Sequence, residues 1–256
     1  MTDIAIRARS FSLWYDTFQA LHDVDLEIKA NKVTAMIGPS GCGKSTLLRS
    51  MNRIVERLSY VHTKGSIEML GQDVTAPEVS LPQLRRHVGM VFQRPNPLPL
   101  SIRANILFGH KLHDSTHESL SPSDKDDIVQ AALEKVLLWD SLKDRLGQSA
   151  LGLSLEEQQK LCIARLLPVA PSVLLMDEPC SALDPRGTEA VEELLWLLKE
   201  QFTILIVTHN MAQARRASEE CVFMLLGKVV EHSDTAMMFL TPEDPRTADY
   251  IEGRYG

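Results

Sequence analysis

Residues Gly38 to Ser45 read GPSGCGKS, a match to G-x-x-x-x-G-K-S/T set between the apolar run KVTAMIG and the helically spaced STLLRSMNRI. Few folds accommodate a glycine-rich turn that leaves a buried strand and opens a helix. The glycines let successive backbone N–H groups curl around a β-phosphate at the positive end of the helix. Lys44 then reaches the β- and γ-oxygens, and the Ser45 hydroxyl can ligate Mg²⁺. The loop therefore predicts an α/β chain organised around a nucleotide.

A second stretch supplies the complement to that loop. In SVLLMDEP, an apolar strand delivers Asp177 and Glu178 at its carboxyl end, where open α/β sheets bind ligands. Adjacent carboxylates on a strand point in opposite directions, so the two can divide the work. Asp177 can accept a Mg²⁺-bound water, while Glu178 can serve as general base or orienter for a water attacking the γ-phosphate.

The remaining pattern fits this frame. HDVDLEI alternates like a half-buried strand, a turn follows near Asn31, and GSIEMLGQDV reads as strand, Gly71 turn, strand. HVGMVF is a further buried strand, and the three prolines of RPNPLPL stop any element, which places a boundary near residue 94. From Ser101 the periodicity is helical, in SIRANILFGHKL and again in DKDDIVQAALEKVLLW after the polar loop HDSTHESLSPS. In LSLEEQQKLCIAR, Ser154 and Glu157 form a capping box at the head of another helix. Strand and helix then alternate through SVLLMDEP, GTEAVEELLWLLKEQ, FTILIVTH, NMAQARRASEE and CVFMLLGKVVE, and EDPRTADYIEGRYG ends the chain as a terminal helix and polar tail.

The reading is thus a P-loop NTPase (RecA-like) fold of class α/β, with a mainly parallel sheet, an N-terminal antiparallel β part and a helical insert. Residues 1–93 and 167–256 form the nucleotide-binding core of one domain, and residues 94–166 the helical unit.

Composition sets outer limits. The formal net charge of −7 argues against a surface that coats nucleic acid, so phosphate binding is local. Charges interrupt the opening MTDIAIRARSFSLW, and no window holds the apolar length of a membrane span, so export and membrane insertion are not expected. Cys42, Cys162, Cys180 and Cys221 lack C-x-x-C spacing and read as reduced thiols, with Cys42 expected to be exposed in the phosphate loop.

Taken together, these motifs resemble the ATP-binding subunits of ABC transporters over essentially the whole chain. Gln93 in GMVFQRP is similar to the family's Q-loop, SALD from Ser181 to Asp184 to its D-loop, and His209 in IVTHN to its switch histidine. The resemblance implies that Gln93 contacts Mg²⁺ and the attacking water, that His209 contacts the γ-phosphate, and that Asp184 helps position a partner subunit. It also implies that Tyr15 stacks on adenine, with Trp14 a neighbouring candidate. Gly38, Pro39, Ser40, Gly41, Cys42, Gly43, Lys44, Ser45 and Thr46 would surround the phosphates. The metal would sit among Ser45, Gln93 and Asp177.

Longer stretches such as GMVFQRPNPLPLSIRANILFG and LLMDEPCSALDP resemble the phosphate-importing branch of the family. That resemblance implies a peripheral subunit at the cytoplasmic face of the inner membrane, paired with a second ATPase subunit and two permease subunits. A substrate-binding protein would be an indirect partner, with no role for nucleic acid. Arg94 to Gly109 resembles the groove that receives the permease coupling helices.

One motif departs from the family. Where its members carry L-S-G-G-Q, this chain has Leu153, Ser154, Leu155, Glu156 and Glu157. Leu155 and Glu156 add bulk and charge where a phosphate should approach backbone N–H groups closely. An inward Glu156 would oppose closure, because like charges about 4 Å apart at an effective dielectric near 20 repel by about 4 kcal/mol. Turned aside, it would leave Ser154 and the helix end available. Two readings follow: a working importer ATPase with an altered signature, or a weakly hydrolysing regulatory subunit that needs a partner with an intact one. A DNA- or ribosome-acting relative is disfavoured by the lack of a second cassette or a large insertion.

Overall fold

The computed structural model describes residues 4–113 and 120–254. Most of the expected polar loop HDSTHESLSPS, and the last two residues of the tail, lie outside the described residues.

Two sheets face one another. The first is antiparallel, ordered β2-β1-β4-β5, from β1 (Ile4–Tyr15), β2 (Phe18–Lys29), β4 (Val61–Met69) and β5 (Gln72–Asp73). The second is ordered β10-β9-β3-β8-β7-β6, from β3 (Val33–Ile37), β6 (Val88–Val91), β7 (Val173–Asp177), β8 (Thr203–Val207), β9 (Glu220–Leu225) and β10 (Lys228–Asp234). Its pairings are parallel except for the β9-β10 hairpin at the edge.

The apolar runs at β3, β7 and β8 are explained by burial on both faces. On β7, Leu174 and Met176 join one hydrophobic cluster while Val173 and Leu175 join the other; on β8, Ile204 and Ile206 oppose Leu205 and Val207 in the same way. One cluster lies against the helical side of the molecule. The other fills the space between the sheets and around α1 (Lys44–Met51), which buries Leu47, Leu48 and Met51.

After β6 come α3 (Ile102–His113), α4 (Pro122–Lys135), α5 (Trp139–Leu142) and α6 (Leu155–Ala164), before the chain re-enters the sheet at β7. The short α2 (Leu81–His87), which has no strong sequence signal, precedes β6. Helices α7 (Pro185–Leu198) and α8 (Met211–Ala217) follow β7 and β8, and α9 (Thr235–Leu240) and α10 (Pro245–Ile251) close the chain. Among the described residues, no helix is long and apolar enough to cross a membrane.

Four element boundaries correct the sequence reading. The helix expected to run to Trp139 ends at Lys135, because Leu137 takes φ 58° and starts a new single turn. It also begins earlier, at Pro122, behind a Ser121–Asp124 capping box. CVFMLLGKVVE is a hairpin turning at Leu226 and Gly227, both at positive φ, rather than one strand. The helix of NMAQARRASEE stops at Ala217, where the Ser218 hydroxyl donates back to Ala214 O and Glu220 enters β9.

At the amino end of the large sheet, Glu220 is 2% exposed and accepts Oε1 hydrogen bonds from Lys29 and, at 3.0 Å, Lys32. Burial alone would push this carboxyl up, but the hydrogen bonds and charges of Lys29 and Lys32 together hold it below its ordinary value of 4.5. A carboxyl held low stabilises the folded chain above its unfolded pKa, and that contribution disappears as pH falls through the folded value. Glu220→Gln should therefore lower the unfolding free energy near neutral pH, by no more than the roughly 3–5 kcal/mol of breaking a fully buried pair, because both lysines are partly exposed. It should also flatten the decline in stability on acidification below the ordinary Glu range. Urea titrations at neutral and acid pH check this, and parallel pH slopes for parent and variant would reject it.

Candidate functional site

The parallel strands place their carboxyl ends side by side, and the chemistry collects there. β3 runs into the GPSGCGKS loop, in which Gly38, Gly41 and Gly43 have φ of 147°, 77° and 106°. A Cβ at Gly38 would lie 2.1 Å from Met224 O, so only glycine fits between the loop and β9. Gly43 caps α1 with no side chain, so the first helical N–H groups have no side-chain cap. Lys44 is buried and lies back across the loop, donating to Gly38 O at 2.7 Å and Pro39 O at 2.9 Å. A phosphate entering the loop offers this ammonium better acceptors than the two carbonyls.

Cys42 corrects the sequence reading. It is 4% exposed, its Sγ lies beneath Gly38 and 3.7 Å from Lys44 Nζ, and burial pushes its thiol up despite the lysine. All four cysteines are buried, and Cys180 is pushed up to about 11 by burial. A buried thiol held protonated is a poor nucleophile.

At the end of β7, Asp177 is 2% exposed, and its Oδ1 accepts from Ser45 Oγ at 2.7 Å. Its Oδ2 accepts from Arg49, at 3.0 Å from Nε and 2.7 Å from an Nη. Arg49, one turn into α1, ties that helix to β7, and no motif spacing announces it.

The next residue, Glu178, takes φ 47°, a conformation that is strained for a residue with a side chain. Its N–H donates to Val207 O of β8, and the turn aims the carboxylate out of the sheet. There Oε2 accepts from Gln93 Nε2 at 3.0 Å and lies 3.2 Å from His209 Nδ1. Three residues from three loops thus meet on one oxygen. The His209 loop is fixed on both sides, because Asn210 N donates to Thr208 Oγ1, Thr208 Oγ1 donates to Gln213 Oε1, and Asn210 caps α8. The cleft beside Glu178 continues to Cys180, Ser181, Leu183 and Arg216.

Gln159 is a residue the sequence reading passes over. Fully buried in α6, it donates to Phe92 O at 3.2 Å and Pro179 O at 2.9 Å, the carbonyls next to Gln93 and Glu178. Tyr250 of α10 is another: it stacks on Phe223 at 4.9 Å, and burial pushes its phenol up to about 12.

Tyr15 lies on the phosphate-loop side of β1, with its hydroxyl 3.3 Å from Thr46 Oγ1 and its ring 6.2 Å from that of Tyr60. Trp14, next to it on the strand, is half-buried. Asp184 caps α7 through a 2.7 Å bond from Gly187 N.

At the head of α6 the capping box forms as expected. Ser154 Oγ accepts from Glu157 N at 3.2 Å, and Glu157 Oε2 accepts from Ser154 N at 2.9 Å. Glu156 turns along the helix to an ion pair with Lys160 at 2.8 Å, and Leu155 is exposed. The groups that meet at Glu178 come from Gln93 and His209, and the head of α6 stands apart from them with its own internal bonds.

Among the described residues, no group of three or more His, Cys, Asp or Glu side chains is placed to hold a metal. At the phosphate loop the structure brings the Ser45 hydroxyl onto the Asp177 carboxylate, both oxygen donors, whereas Gln93 is placed on Glu178 and not on this pair. The pair suits Mg²⁺, which is held by few protein ligands together with water and phosphate oxygens.

Comparisons with known proteins agree with this geometry. The family description "ABC transporter" matches residues 21–181. The phosphate import ATP-binding protein PstB of Bacillus cereus is 49% identical over 99% of this chain and 92% of its own length, and that of Bacillus anthracis gives the same values. The structure of cbiO1 from Clostridium perfringens, part of the ABC transporter complex cbiONQ, superposes with a TM-score of 0.80 at 25% identity, covering 98% of this chain and 97% of that one. A dimeric ATP-binding cassette in a post-hydrolysis state with ADP and Pi shares the fold at a TM-score of 0.76 and 24% identity, over 90% of this chain and 98% of that chain.

The burial of Cys42 reverses what an exposed loop thiol would do. A thiol reagent at neutral pH should leave Cys42 unlabelled in the folded chain and label it only on unfolding. Peptide mass mapping of the labelled chain checks this, and stoichiometric modification of Cys42 in the folded protein would contradict it.

Proposed function

This chain belongs to the ABC transporter family, and on that premise we propose that it is the ATP-hydrolysing subunit of an inorganic phosphate importer. The observation that carries the reading is the meeting of Gln93 and His209 on one carboxylate oxygen of Glu178, beside a glycine loop shaped for phosphates. The cargo rests on the phosphate import proteins to which the chain is 49% identical.

In this reading the loop from Gly38 to Thr46 binds the ATP phosphates through its N–H groups and Lys44, and Tyr15 stacks on the base. Mg²⁺, held by Ser45, Gln93 and Asp177, directly or through water, would neutralise charge on the β- and γ-oxygens. Glu178 draws the proton from the attacking water or orients it. Gln93 positions the same water, and His209 faces the γ-phosphate. The strained turn at Glu178 fits this role, since it fixes the carboxylate before substrate arrives.

Two copies close head to tail, so that Ser154 and the N–H groups of Leu155 and Glu156 meet the γ-phosphate held by the other copy, with Asp184 positioning the partner. Residues 94–166 act as the helical unit and the rest as the nucleotide core. Arg94 to Gly109 receives the permease subunits at the cytoplasmic face of the membrane, and a substrate-binding protein delivers phosphate from the other side. The regulatory alternative is not favoured, because the relatives are import ATP-binding proteins matched over 92% of their length.

Replacing Glu178 by Gln removes the base and leaves the phosphate cradle intact. ATP turnover should fall at least about 100-fold, with nucleotide affinity changed little. Steady-state ATPase and nucleotide titration of the purified chain check this, and equal turnover in parent and variant would refute the role of Glu178. The cargo is tested by uptake of labelled phosphate in cells expressing this chain with its permease subunits, which should stop in the Glu178→Gln variant. Uptake of another solute in its place would overturn the assignment of cargo.

A further inference from the structure

The head of α6 carries two carboxylates where the family has glycine and glutamine, and each has a defined place. Glu157 folds back onto Ser154 N, and its other oxygen lies 3.9 Å from Arg145. Glu156 runs the opposite way, one turn down the helix, to Lys160. Lys160 is unusual in its own right, since its side chain is only 7% exposed and it ends on this carboxylate. Such a lysine needs a counter-charge. Gly187, in the first turn of α7, lies beside the Glu156 stem: a Cβ there would be 3.5 Å from Glu156 Cβ, an ordinary van der Waals contact, and 3.3 Å from Asp184 Oδ1.

A carboxylate at the second position of a helix is attracted to the unpaired N–H groups at that end. Left alone, Glu156 would turn toward them and occupy, as an internal anion, the ground a phosphate needs. We propose that Lys160 is a positioning residue that holds Glu156 down the side of α6, keeping the helix end open for the γ-phosphate of the other copy. This proposal rests on the head-to-tail reading above. It assigns a role to a residue outside the phosphate loop, and it explains how Leu155 and Glu156 can stand in the signature of a working ATPase.

The two members of the pair behave differently when removed. Lys160→Met deletes a buried cation and replaces it with a side chain of similar shape, so it releases Glu156 at little cost to the fold. Glu156→Gln alone strands a buried lysine and should lower the melting temperature.

The test uses the full chain in four forms: parent, Lys160→Met, Lys160→Arg, and Lys160→Met combined with Glu156→Gln. ATP-induced dimerisation is followed by light scattering, each form carrying Glu178→Gln to prevent turnover, and kcat and KM are measured without that change. Lys160→Met should raise the ATP concentration for half-dimerisation by about tenfold and lower kcat/KM by a similar factor, without lowering the melting temperature. Lys160→Arg and the double variant should both return to within about twofold of the parent. Lys160→Met behaving like an active parent, or a double variant as impaired as Lys160→Met, would overturn the proposal alone. A parent that neither dimerises with ATP nor hydrolyses it would overturn the head-to-tail reading, and the proposal with it.

Discussion

The parallel register of β3, β8, β7 and β6 is the constraint from which the site follows. With Val33 opposite Ile204, Val173 opposite Thr203 and Val88 opposite Val173, the four strands end on one edge. Beyond each strand end lies one candidate site residue: Ser45 at the start of α1 after β3, Gln93 after β6, Glu178 after β7 and His209 after β8. No two of these residues need be near one another in sequence, and Gln93 and Glu178 are 85 residues apart. A slip of one residue in any pairing would turn that strand's side chains to the opposite face of the sheet. The double burial of these strands holds the register, because each face of the sheet rests on its own apolar cluster.

Tension in the loops is the counterpart of order in the strands. Glu178 sits at positive φ and is held by a single backbone bond to β8, while Gly38 is confined by the Met224 carbonyl. Gly38 tolerates its conformation because it has no Cβ, and Glu178 is held in its own by the bonded sheet around it. Gln159 extends the same logic to the helical side, since one buried amide bonds to carbonyls beside both Gln93 and Glu178. A shift of α6 therefore acts on both functional loops together. In the function proposed above, this is a physical link between the helix whose head would face a second copy and the carboxylate that would handle the water.

Much of this was legible in the sequence, for reasons that differ by residue. The phosphate loop and the Ser154–Glu157 capping box are local patterns whose geometry follows from spacing, and the structure forms them; Asp177 and Glu178 do sit at the end of β7, but Glu178 leaves the strand at φ 47° instead of alternating along it. Gln93 and His209 became readable only through their order along the chain in a known family. Other features depend on contacts that no spacing encodes. Cys42 looks exposed because it is flanked by glycines, yet the hairpin from β9 to β10 folds over the loop and buries it. Arg49 acts through Asp177, 128 residues away, and Gln159 joins Phe92, 67 residues before it, to Pro179, 20 residues after it. The break after Lys135 was hidden because KVLLW keeps helical apolar spacing while the backbone turns at Leu137. The Glu156–Lys160 pair lies at a spacing of four and was open to reading, but the burial of its lysine was not.

The central claim is that one copy's glycine loop and the other copy's α6 head enclose the same phosphate. Vanadate trapped in place of the γ-phosphate and irradiated with ultraviolet light cuts the backbone it touches, so it reports both walls of the site at once. The account predicts two sets of ATP-dependent fragments, one ending within Gly38 to Ser45 and one ending beside Ser154. Cleavage confined to the glycine loop, with the Leu153 to Glu156 backbone intact, would contradict it.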